Sequence, residues 1–192
     1  HHGGMSMLEQ MIIDADLCIK LGSSDKYHFL LEVLPIVAKK IYMHSHAFGE
    51  VRNPMSAHKQ LVNLVSQGTV FIVNETGLDP KERTVYDMTY NKLAAVMIDP
   101  RKPNKNKGET CSLAYAKVKD IPIFATDECD LQPIIDKLLN TGMNDINCLR
   151  IIDIINMAKN GQISLPRKSA KAIWVISGKN KDDFDHSVWP IF

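Results

Sequence analysis

Short apolar runs alternate with stretches of helical spacing along most of this chain. Strand-like runs lie at 11–18, 41–44, 69–73, 121–125 and 146–149. Between them, Phe29, Leu30, Val33, Leu34 and Val37 recur at helical spacing over 26–40, with Pro35 expected to kink or break that helix. A second helix is expected from about Ala47, interrupted at Pro54 and stopped at Gly68. Further helices are expected over 81–97, 109–119, 131–139 and 150–160, the last closed by Gly161. Alternation of this kind argues for a parallel sheet covered on both faces. The predicted fold is α/β: a three-layer sandwich with a central, mostly parallel, Rossmann-like sheet.

Several of the runs end on acids. Ile12-Ile13 leads into Asp14 and Asp16, Ile41-Tyr42-Met43 is followed by Glu50, and Ile123-Phe124-Ala125-Thr126 leads into Asp127, Glu128 and Asp130. Glu109 opens an Ala-rich helical stretch. Ligands of open α/β sheets bind outside the carboxyl ends of the strands. Carboxylates gathered there repel one another unless a cation holds them. Hard oxygen donors suit Mg²⁺ or Mn²⁺, and such an ion supports phosphodiester hydrolysis. The expected cluster is Asp14, Glu50, Glu109 and Asp127, as metal ligands and catalytic groups. Asp130 is a further metal ligand, and Asp16 and Glu128 are weaker members. Each acid has an innocent alternative. Asp14 would cap a turn, Glu50 and Glu109 would sit in first helical turns where the dipole favours acids, and one acid of 127–130 would cap the next helix.

Four segments in this order resemble a PIN domain. These are Ile12-Ile13-Asp14-Ala15-Asp16-Leu17-Cys18-Ile19, Glu50 after the second strand, Gly108-Glu109-Thr110-Cys111-Ser112-Leu113-Ala114-Tyr115-Ala116, and Ile123-Phe124-Ala125-Thr126-Asp127-Glu128-Cys129-Asp130. Asp16 stands where that family more often has Asn. The resemblance spans roughly 11–160. It implies a metal-dependent endoribonuclease acting through Mg²⁺ or Mn²⁺, with RNA as substrate. It also implies a toxin of a toxin–antitoxin pair, with an antitoxin as partner.

The remaining features refine this picture. His1-His2-Gly3-Gly4 reads as a tag remnant. One domain is expected over 5–163, with an insertion at 68–108 and a C-terminal extension at 164–192. No apolar run approaches the ~20 residues that span a bilayer. The four cysteines (18, 111, 129 and 148) show no paired spacing, so reduced thiols in a cytoplasmic protein are expected. A net charge of +1 neither favours nor excludes nucleic acid as a partner. Arg101, Lys102, Lys105 and Lys107, just before Glu109, are candidates to contact substrate phosphate, together with Asp16. His44, His46 and His58 lack the further ligands of a zinc site and are expected at the surface or at helix starts. Phe71, Tyr86, Tyr90 and Tyr115 read as core, with stacking on splayed bases as the alternative. The apolar face around Met88, Leu93 and Met97 is expected inside; any exposed part would serve a homodimer or an antitoxin peptide. Asp14-Ala15-Asp16 also resembles the first motif of haloacid-dehalogenase-type phosphatases, with Asp14 as nucleophile, Ser45 as the second hydroxyl, and Lys117 or Lys119 as the lysine. A third reading keeps the PIN fold as an inactive RNA- or protein-binding module.

Overall fold

The computed structural model describes residues 7–192, so the expected tag remnant at 1–4 lies outside the described residues. Five strands form the sheet: β1 (Leu8–Ile13), β2 (Ala38–His44), β3 (Val70–Val73), β4 (Ile123–Ala125) and β5 (Asn147–Leu149). All pairings are parallel, in the order β3-β2-β1-β4-β5. The expected three-layer α/β architecture is the observed one.

Side chains alternate across a strand, and here the two sets enter two cores. Met11, Ile13, Ile41, Met43, Val70, Ala125 and Leu149 face one core. Ile12 and Phe124 face the other, with Tyr42, Val73 and Cys148 packed against it. The first core is covered by α1 (Ala15–Leu21), α2 (Phe29–Val37), α3 (Ser45–Glu50) and α4 (Met55–Ser66). The second is covered by α5 (Pro80–Met97), α6 (Lys107–Val118) and α7 (Leu131–Leu138). The chain therefore winds outward through β2 and β3 with helices on one face. It then returns to the other side of β1 with helices on the opposite face. The reversal lies between β1 and β4, the switch point where a ligand crevice opens.

Winding in this way leaves the first face of β4 and β5 without a crossover helix. Residues 151–192 cover it. α8 (Ile151–Lys159) and α9 (Arg167–Ile176) bring Ile151, Ile154, Ile155, Ala170 and Ile173 into the same core as Ala125 and Leu149. Beyond α9, Phe184 is fully buried between Trp174 and Trp189, with ring centroids 6.3 and 6.4 Å away. Arg167 and Lys171 hold Asp185 at 2.8 and 2.7 Å. The segment expected as an extension thus builds the floor beneath two strands.

Local differences from the sequence reading have physical causes. The run 11–18 divides at Asp14 into β1 and α1, because a short apolar run fits a strand or a buried helix equally well. Leu17, Cys18 and Leu21 are buried at helical spacing. Pro35 lies inside α2, only two residues from its end. Residues 172–176, read as a strand or buried turn, belong to α9. Leu93 and Met97 are core, whereas Met88 is 68% exposed and Val85 and Val96 are also outside. Only one stripe of α5 faces the sheet, so the expectation for Met88 does not hold. Tyr86 and Tyr115 are buried as expected, whereas Phe71 is exposed on the edge strand.

If the segment after β5 is structural, Phe184→Ala should cost about 3–5 kcal/mol, the range for emptying a buried aromatic site. Chemical denaturation with a single transition would measure it, and a change below about 1 kcal/mol would show a tail merely resting on the domain.

Candidate active site

At the carboxyl ends of β1, β4 and β5 the backbone ladder runs on past the strands. Asp14 N–H donates to Ala125 O at 2.9 Å, and Thr126 N–H donates to Leu149 O at 3.0 Å. This sets Asp14 beside Thr126, and the Thr126 hydroxyl donates to Asp14 Oδ2 at 2.8 Å. The same hydroxyl accepts from Glu128 N–H at 3.3 Å, fixing the turn after β4. Asp14 is only 2% exposed. It occupies the position before α1 but makes no side-chain capping bond to that helix. Capping therefore does not explain it.

The other acids come from separate elements. Asp16 lies in the first turn of α1 and Glu109 in the first turn of α6. Glu50 is the last residue of α3, not part of a first turn as expected. A negative charge is disfavoured at a helix carboxyl end, so the dipole offers no reason for an acid there. Glu50 Oε1 lies against the Cα of Gly108, where any side chain would collide with it. Gly108 thus leaves room for the Glu50 carboxylate, which stands near enough to Glu109 to raise its pKa.

The acids act on one another. Burial pushes the Asp14 carboxyl up to about 7; Asp16 and Glu50 add to this, and the Thr126 bond opposes it. Burial, then Asp14, Glu128, Glu50 and Asp16, push Glu109 up to about 8. Burial raises Glu50 as well. Asp16 Oδ2 is buried without a hydrogen bond, and Lys20 Nζ stands 3.3 Å from it. Among the described residues, no three His, Cys, Asp or Glu side chains are close enough as placed to share one ion. The donor set nonetheless fits a hard divalent cation. Its donors are hard carboxylate oxygens, and their mutual repulsion is what such an ion would relieve.

Asp127, expected as a direct metal ligand, sits in different surroundings. It is 5% exposed. Its Oδ2 accepts from Lys20 at 2.9 Å and from Lys179 at 2.5 Å. Its Oδ1 accepts from Ile151 N–H at 3.1 Å, and Arg150 Nε lies 3.9 Å away. Burial works to raise its pKa, but Lys179, Lys20 and the Ile151 amide outweigh it and hold the carboxyl below its ordinary value. Asp130 stands exposed before α7, with the Cys129 thiol 3.4 Å from its carboxylate.

The basic loop divides similarly. Arg101 pairs with Asp99, and Lys102 and Lys105 are exposed. Lys107 lines a cleft of ≈ 380 Å³ with Glu75, Tyr86, Tyr90, Asn91 and Cys111. His44 is buried rather than at the surface, and it stands at a helix start, the other expected place, where it caps α3. Its Nδ1 accepts from His46 N–H, so Nε2 is the nitrogen that donates to Glu75, at 2.7 Å. Lys20, Lys179 and Thr126 escaped the sequence reading. Lys20 had a signal, standing four residues after Asp16 on α1; Lys179 had none, since its partner lies 52 residues away.

No family model matches the chain. No curated protein matches its sequence. Among solved structures, the crystal structure of VapBC2 from Rickettsia felis bound to a DNA fragment from their promoter matches with a TM-score of 0.44 and 13% identity, over 73% of this chain and 98% of that chain.

The raised acids predict a pH dependence. Folded Asp14 keeps its proton to about pH 7 and Glu109 to about pH 8, whereas their ordinary values are 3.8 and 4.5. The folded state therefore binds more protons between about pH 4 and 8, and metal-free stability falls as pH rises through that window. The slope is bounded by about 1.4 kcal/mol per pH unit for each group. Asp14→Asn should flatten it, as followed by denaturation at several pH values in chelator. An unchanged slope would remove Asp14 from the cluster.

Proposed function

We propose that this protein is a metal-dependent nuclease that hydrolyses RNA phosphodiester bonds, the activity that its resemblance to PIN-domain ribonucleases implies. The observation that carries this reading is the meeting of Asp14, Asp16, Glu50 and Glu109, from three helices and a strand end, at the switch point of a parallel sheet. Their carboxyls are crowded enough that burial and like charge hold protons on two of them near neutral pH. Structural acids are normally satisfied by cations, as Asp127 is; among the described residues Asp14, Glu50 and Glu109 pair with none, and Asp16 pairs with Lys20 alone.

Mg²⁺ or Mn²⁺ is the cation that this oxygen set suits, with Asp14, Asp16, Glu50 and Glu109 as the residues to hold it. Bound there, it would polarise the scissile phosphate and supply hydroxide from water at neutral pH. The protein's own contribution is placement. Thr126 fixes Asp14 Oδ2 and Gly108 makes room for Glu50 Oε1. Glu50 and Glu109, on longer stems, are suited to orient a water toward phosphorus. Lys107, on the far flank of α6 from Glu109, is suited to a neighbouring phosphate. A toxin's place in a toxin–antitoxin pair, with an antitoxin as partner, belongs to the same resemblance.

The phosphatase alternative loses its supporting residues. Ser45 Oγ accepts from Asn74 Nδ2 at 2.6 Å, Lys117 binds the Leu139, Met143 and Asn144 carbonyls, and Lys119 pairs with Glu82. Neither lysine is left to serve Asp14 in the way that reading requires.

Asp14→Asn and Glu109→Gln should each lower Mn²⁺-dependent cleavage of single-stranded RNA at least 100-fold. The metal-free melting temperature should hold or rise, because each change removes a repelling charge. Undiminished cleavage by Asp14→Asn would sink the reading. Phosphate release from a small monoester, with a covalent aspartyl-phosphate at Asp14, would replace it with the phosphatase.

A further inference from the structure

The surroundings of Asp127 hold more positive charge than the carboxylate needs. Lys20, Lys179 and Arg150 all reach it. Even after Lys20's second partner Asp16 is counted, positive charge is left over. Two ammonium groups on the same Oδ2 repel each other, so a purely structural anchor would be better served by one. Each ammonium has three donors. Lys179 uses one, on Asp127, among the described residues. Neither lysine is sealed away: their side chains are 19% and 31% exposed.

Local structure holds Lys179 in this place. Gly178 turns the chain after α9 at φ +87°, in the left-handed region that favours glycine. Lys179 N–H and Ser177 Oγ both donate to Trp174 O, and Trp174 Nε1 donates to Asn180 O at 2.6 Å. The Lys179 ammonium lies 5.6 Å from the Trp174 ring centroid. Lys20 comes from α1, immediately beside Asp16. The cations therefore adjoin the acid cluster through Asp16, where an anion held by one would touch the other.

The geometry points to a phosphate-binding lip made of Lys20 and Lys179, in which Asp127 serves as the pedestal that fixes both lysines and the C-terminal segment completes the active site. The ligand is a backbone phosphate of single-stranded nucleic acid lying next to the carboxylates. This inference rests on the nucleic-acid reading above and deepens it.

The test compares wild type, Lys179→Met and Lys179→Arg, each loaded with Mn²⁺. Free Mn²⁺ is followed by electron paramagnetic resonance, and binding of a cleavage-resistant phosphorothioate RNA by fluorescence anisotropy at several salt concentrations. Lys179→Met should bind Mn²⁺ as wild type does and RNA about tenfold more weakly, and its slope of log affinity against log salt should fall by about 0.7, the value for one single-strand phosphate contact. Lys179→Arg should stay within about threefold of wild type. Unchanged affinity and slope in Lys179→Met would overturn the lip and leave an anchor. Inorganic phosphate binding as tightly as the RNA would overturn the substrate assignment in favour of a free-anion site. Should Lys179→Met fail to fold, Lys20→Met carries the same expectation and the same refutation for RNA affinity and salt slope, read at saturating Mn²⁺ because Lys20 also pairs with Asp16. RNA binding that depends on Lys179, without cleavage by wild type in Mn²⁺, would sink the nuclease reading and leave the lip standing.

Discussion

The pairing of β1 with β4 is the constraint on which the rest of the site depends. It joins segments more than a hundred residues apart and sets Asp14 beside Thr126 at the carboxyl edge of the sheet. From that point the chain leaves in two directions, into α1 on one face and toward α7 on the other. No crossover helix closes the gap between them, and the acids of α1, α3 and α6 border it. A register slip of one residue would exchange Ile12 and Ile13 between the two cores and carry Asp14 away from Thr126. The pairing register of β1 therefore fixes the site as firmly as it fixes the fold.

Charge at this edge is segregated. On one side, Asp14, Asp16, Glu50 and Glu128 add to the burial that raises the proton affinity of Glu109, and Asp16 and Glu50 do the same for Asp14. Asp127 with Lys20, Lys179 and Arg150 lies on the other. Such an arrangement is costly in the metal-free state, because buried like charges are relieved only by taking up protons or a cation. The two halves also respond oppositely to acid. The crowded acids favour folding when protonated, while Asp127 contributes stability that is lost as pH falls below its ordinary range.

Much of this was legible in the sequence. The strand–helix alternation gave the layered architecture, because periods of 2 and 3.6 are written in the apolar residues themselves. The nearness of Asp14, Glu50 and Glu109 was legible because each stands at or near the end of an element at the carboxyl edge of the sheet. What periodicity could not separate was which acid near β4 faces the cluster. Asp127 and Glu128 are adjacent, so the strand pattern placed both near the crevice, and only the lysines decide their roles. Lys20 had its signal in the spacing from Asp16, but Lys179 was illegible for the same reason that Glu50's helix position was misread. Helix ends and loops in short, turn-rich stretches are set by tertiary contacts more than by local propensity.

The segment after β5 shows how fold and site share one solution. A sheet wound in the order 3-2-1-4-5 with paired crossovers leaves one face of β4 and β5 bare. Leu149 and Ala125 would meet water there without α8 and α9. Covering that face requires the chain to return past the carboxyl edge of β4, and this return carries Lys179 over Asp127. Ile151, the first residue of α8, already gives its amide to the same carboxylate, so the covering helix and the cation share one anchor. The segment that fills a packing deficit is thereby committed to the edge where the acids stand. Its position is fixed by burial, as with Phe184, while its chemistry is concentrated in a single residue of the loop that follows α9.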